Sequence, residues 1–161
     1  MILRSHSDCI VSSVQKVRQQ CHGLEPIVWA VGSCPEQLVA AMLDDRFYSE
    51  VYFGLTTHPK WRMFDCAGHR SMTPHCVRFF VMHVIWAGMG DAGSELERRL
   101  IASWQHDSRV ANIRAGGEGS VTSALTFVYV CTNTMSQKVR LGTEIEALKM
   151  QHEASSAAVV L

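Results

Sequence analysis

The sequence predicts an α+β domain with a small central sheet and helices packed on its faces, and three observations carry that reading. Runs of β-branched and aromatic residues of strand length stand at Pro26 to Gly32, Phe47 to Leu55, Val77 to Trp86 and Leu125 to Cys131. Apolar residues at helical spacing stand before and between them, most clearly at Ser7 to Cys21 and Ala92 to His106. With 161 residues, 47% hydrophobic and 19% charged, the chain is long enough and apolar enough to bury one core.

In chain order, Ile10, Val11, Val14 and Val17 among Gln, Arg and Lys give the first helix its apolar stripe, and His22-Gly23 ends it. Pro26 to Gly32 reads as a buried strand. Ser33 is suited to cap a helix from Pro35 to about Leu43, with proline early in the first turn, and Asp44-Asp45-Arg46 closes it. The second strand, Phe47 to Leu55, turns at Gly54 into a helix at Pro59, with Thr57 or His58 as its cap, so that Lys60, Trp61 and Arg62 fall in its first turns. Cys66 to His75, with Gly68 and Pro74, is irregular. The third strand, Val77 to Trp86, is closed by Gly88-Met89-Gly90-Asp91. The Ala92 to His106 helix gathers Leu96, Leu100, Ile101 and Trp104 on one face. Asp107 to Ser120 reads as a loop, Leu125 to Cys131 as the fourth strand, Met135 to Gln151 as containing a short helix, and Glu153 to Leu161 as a tail.

Fifteen Lys+Arg balance fifteen Asp+Glu, so no global basic surplus marks a nucleic-acid binder, and any such face must be local. Six cysteines without a Cys-x-x-Cys pair, and no basic segment leading into an apolar core at the N-terminus, predict a reduced, intracellular protein of cytoplasm or nucleus. The longest apolar runs are too short and interrupted to span a bilayer, so no membrane insertion is expected.

The chemistry-bearing stretch is Val51 to Arg62. A phenol from Tyr52 and a guanidinium from Arg62 facing one cleft would suit an anion, because arginine offers phosphate a planar fork of donors. Tyr52-Phe53-Gly54, Arg62 ten residues after the tyrosine, Glu97 followed by Leu100-Ile101, and Asn112 leading to Gly116-Gly117-Glu118-Gly119 together resemble the GIY-YIG nuclease family over about residues 50 to 120. Tyr52-Phe53-Gly54 matches the family's second tripeptide, Tyr-Ile-Gly, and Leu55 to Arg62 matches its approach to the helical arginine without a gap.

The resemblance implies a GIY-YIG-like domain at residues 23–133 with a small, mainly antiparallel sheet and an insertion near 33–46, preceded by a helical extension at 1–22 and followed by a helix and tail at 134–161. It implies a metal-dependent endonuclease acting on DNA ahead of RNA, with Tyr52, Arg62 and Glu97 catalytic and Glu97 holding Mg²⁺ or Mn²⁺. Tyr48, Gly54, His58, Lys60 and Asn112 are implied as supporting residues. The residue types suit that chemistry. A single carboxylate is a hard oxygen ligand for a cation that keeps several waters and completes its shell with substrate phosphate, and arginine stabilises charge on phosphorus.

The sequence departs from the family at its first tripeptide, Gly-Ile-Tyr. The nearest counterpart is Ile27-Val28-Trp29, and an indole N–H donates but cannot act as a base. Tyr48 lies four residues before Tyr52 and is expected on the same strand face. The connection from Trp29 to Tyr52 exceeds the family's hairpin, and Cys66 stands where a histidine often follows the arginine. Read without the resemblance, Tyr52 is a core tyrosine, Arg62 and Glu97 are solvated helix residues, with Glu95 a rival to Glu97, and Gly116 to Gly119 is a loop lacking the Lys-Ser/Thr of a phosphate-binding motif. Cys66, His69, His75 and Cys76 include the ligand types of structural zinc, but adjacent His75 and Cys76 rarely reach one ion, and free cysteines with core histidines are the better reading. Cysteine nucleophiles at Cys66 or Cys76, with His69 or His83, have no local signature. The alternative function is a relative that binds nucleic acid or a protein partner without cleavage.

Overall fold

The computed structural model describes residues 6–21, 27–64, 79–112, 115–116 and 124–134, with helical residues scattered between 143 and 154. The zinc-type cluster at Cys66 to Cys76 and most of the Gly116 to Gly119 run lie outside them.

The elements run α1 (His6–Cys21), β1 (Ile27–Trp29), α2 (Pro35–Asp44), β2 (Tyr48–Thr56), α3 (Pro59–Phe64), β3 (Val81–Met89), α4 (Gly90–Trp104) and β4 (Leu125–Thr134). They build an α+β fold around one four-stranded mixed sheet of order β1-β3-β4-β2. β4 pairs antiparallel with both β2 and β3, and β1 pairs parallel with β3. The sequence explains why β4 is central. Its run from Thr126 to Thr134 is buried throughout, as a strand flanked on both edges and covered on both faces must be.

Helices cover both faces. Val39 and Leu43 of α2 and Leu96, Leu100 and Ile101 of α4 pack with Val51, Phe53, Ile85, Val128 and Val130. The other face holds Met63 of α3 and Val17 of α1 against Ile27, Met82, Val84, Phe127, Tyr129 and Cys131. α2, expected as an insertion, therefore contributes to the main core. The expected Ser33 cap does not form. Cys34 is the N-cap of α2, without a side-chain capping bond. The third strand begins at Val81 and runs to Met89, so the glycine segment expected to close it supplies its end and the first residues of α4.

The free edge of β2 is covered by the segment after α4. Val51 donates to the Arg109 carbonyl and accepts from the Ala111 amide, at 2.8 Å each. Arg109 secures that segment with a fork onto Asp107, at 3.0 and 2.7 Å, and by donating to the Leu43 and Asp45 carbonyls at the end of α2. The guanidinium holds the Asp107 carboxyl below its ordinary range, through hydrogen bonds first.

Candidate functional site

Strand alternation sends Phe53 to the α2/α4 face and Tyr52 to the α1/α3 face, where its ring tilts against Phe79 at 5.8 Å between centroids. α3 runs over the same face. Arg62, in its last turn, donates from Nε to the Tyr129 hydroxyl at 3.1 Å. The guanidinium is raised above its ordinary value. Burial opposes that rise, and hydrogen bonds and charge interactions with Tyr129 and then Tyr52 produce it. Tyr52 and Arg62, expected together from sequence, are brought together by the fold.

Tyr129 is the partner of Arg62 that sequence reading missed. It is fully buried on β4, opposite Gly54 of β2, and burial first, then Cys131, pushes its phenol far above the ordinary value. It stays neutral and serves Arg62 as an acceptor. Gly54 makes this geometry possible, because a β-carbon there would overlap the Tyr129 phenol and approach its Cε2 to 2.8 Å. The signal available in the sequence was a tyrosine inside an unbroken apolar strand, since a buried hydroxyl needs a partner.

Two expectations are corrected. Trp29 does not stand beside Tyr52. β1 occupies the edge opposite β2, and the indole packs edge-on against Phe127 at 5.8 Å. Tyr48 does not share a face with Tyr52 either. The register shifts between Tyr48 and Glu50, and this irregularity turns Tyr48 to the α2/α4 core and breaks the period-two alternation.

Glu97 is carried by α4, the helix layer on the face opposite Arg62. It lies on the flank of α4 that meets the loop beyond β2's edge, where its Cγ and Cδ would be 3.4 Å from a β-carbon on Gly116. Gly116, at φ +79, takes a backbone conformation that side-chain-bearing residues rarely adopt. A carboxylate is the ligand type that a hard divalent cation takes. Among the described residues no group of three or more His, Cys, Asp or Glu could by itself enclose a metal ion.

Asn112 sits at β2's edge, accepting from the Phe53 amide and donating to the Phe53 carbonyl at 2.8 Å each, so its amide imitates a neighbouring strand. His58 and Lys60 are exposed near the start of α3, where His58 stacks on Trp61. The surface cations divide. Arg98 pairs with Glu95, Arg99 with Glu36 and Arg109 with Asp107, whereas among the described residues no carboxylate pairs with Lys60 or Arg62. Lys60 and Arg62 are both carried by α3.

No protein-family model, curated protein or solved structure matches the chain. No helix among the described residues is long and apolar enough to cross a membrane.

Proposed function

We propose that the chain is a GIY-YIG-type endonuclease, hydrolysing phosphodiester bonds in DNA ahead of RNA with Mg²⁺ or Mn²⁺. The observation that carries this reading is the Arg62–Tyr129 hydrogen bond beside Tyr52. In the family, the strand of the first tripeptide forms a hairpin with that of the second. Here the strand paired with β2 is β4, which supports Tyr129, and not Trp29, as the counterpart of the first tyrosine, supplied from later in the chain.

The roles follow from the chemistry of the groups. Arg62 faces the charge that develops on a phosphate under attack, the kind of preorganised electrostatic contact that contributes most to such reactions. Tyr129 acts as a positioning residue, fixing the guanidinium through Nε. Tyr52 offers a phenol beside that guanidinium, suited to orient the attacking water. A divalent cation, which Glu97 would hold on the α4 layer across the sheet from Arg62, would supply positive charge for such chemistry.

A second reading, a GIY-YIG-like domain that binds nucleic acid or a protein partner without cutting, is favoured by the position of Glu97 on the layer opposite Arg62. Plasmid, linear, branched and single-stranded substrates with either metal separate the two. Cleavage that disappears in Glu97→Ala, in Arg62→Ala and in chelator supports the nuclease. Salt-dependent binding without cleavage supports the nucleic-acid form of the second reading. Neither binding nor cleavage sinks both nucleic-acid readings and leaves the family likeness as a fold with a protein partner.

A further inference from the structure

Beside the Arg62 face, a groove of about 310 Å³ runs between α1 and the junction of β2 with α3, lined by Val17 and Gln20 on one side and Thr57, His58, Lys60 and Trp61 on the other. Its aromatic wall is exposed and already ordered. Trp61 is 70% exposed, and its ring stacks on His58 with centroids 5.6 Å apart and planes at 28°. His58 is fixed in turn, with Nδ1 2.7 Å from the Thr57 hydroxyl and its backbone amide donating to the Thr56 hydroxyl at 3.1 Å. A flat π surface held in place before any ligand arrives is what a stacked base requires, and every base has a π face to offer.

The remaining groups specify the class further. The Gln20 amide can donate to and accept from a base edge, and the Lys60 ammonium suits a phosphate. The described lining residues include no carboxylate to repel one. The volume lies at the small end of ligand sites and fits a single nucleotide unit. Trp61 and Arg62 are consecutive in α3, so the two side chains leave the same helical turn in directions about 100° apart.

We propose that this groove seats an unpaired nucleobase stacked on the Trp61–His58 pair, which makes single-stranded or locally unpaired nucleic acid the substrate class of the Arg62 site. The inference rests on the nuclease reading for its link to Arg62. A base inside a duplex is stacked on its neighbours and must leave the helix to enter such a slot.

The test is fluorescence anisotropy in chelator with labelled single-stranded DNA, single-stranded RNA and duplex DNA, comparing wild type with Trp61→Ala and Trp61→Phe. Wild type is expected to bind single strands at least about tenfold more tightly than duplex, Trp61→Ala to lose roughly 5- to 150-fold, and Trp61→Phe to keep most of the affinity. Equal affinity of wild type and Trp61→Ala overturns the proposal, as does equal affinity for duplex and single strand. Binding of no oligonucleotide at all also overturns it and leaves the groove to a peptide. Because chelator removes cleavage from this readout, Trp61-dependent binding by a protein that never cuts sinks the nuclease reading and the link to Arg62 with it, and keeps the base slot. Cutting with Trp61-independent binding sinks only the groove.

Discussion

The phenol of Tyr129 lies across Gly54, in the space that a β-carbon at that position would fill. The two residues are register partners on adjacent strands, and the ring reaches over the glycine to meet Arg62 of α3. Gly54→Ala should therefore act as an overpacking change on both neighbours, costing about 1–3 kcal/mol of stability. Urea denaturation measures it, and an unchanged midpoint would contradict the geometry.

Tyr129→Phe keeps the ring over Gly54 but removes the acceptor of the Arg62 Nε–H. Loss of that charge-assisted bond should lower stability by about 1–2 kcal/mol, since Arg62 can recover part of it from water. If Arg62 acts on phosphate, cleavage should fall well beyond what that stability loss explains, with single-strand affinity held. A variant with full activity would leave Tyr129 as packing alone.

Much of this arrangement was legible before the fold was known, and the exceptions have physical causes. Pro59 and the strand formers Val51, Tyr52 and Phe53 announced the β2–α3 junction, and the apolar stripe of α4 announced its buried face. The partner of Tyr52 was not legible, because sequence order suggested β1 as its neighbour while long-range pairing chose β4. Pairing between strands far apart in sequence leaves no local mark. The same limit hid the turn of Tyr48, since nothing around Ser49 signals a register shift. Asn112 is intermediate. Its residue type suggested a turn, and only the exposed edge of β2 gives its amide two backbone partners.

Asn112→Ala should strip both bonds from Phe53 and leave that stretch of β2's edge open to solvent. A loss of about 1–3 kcal/mol is expected, with faster hydrogen exchange at the Phe53 amide than at the Val51 amide, which keeps its Arg109 carbonyl. Exchange measured by NMR on both amides checks this, and equal acceleration at the two positions would mean that the whole segment detaches.

His83 should make stability fall on acidification. Its imidazole is largely buried on β3, with Nε2 3.3 Å from the Thr132 hydroxyl, and burial holds its pKa below the ordinary 6.5. The unfolded chain therefore binds a proton in a pH range where the folded chain does not. Stability is unaffected well above 6.5, declines as pH falls through 6.5 toward the lowered folded value, and levels off below it, with a slope from this residue of at most about 1.4 kcal/mol per pH unit. His83→Gln retains an amide that can bond Thr132 but cannot take up a proton, so it should flatten that part of the profile. Urea midpoints for both proteins from about pH 7.5 down to 5 isolate the effect, because the other histidines contribute equally to each curve. Parallel profiles would show that His83 takes up its proton as readily folded as unfolded.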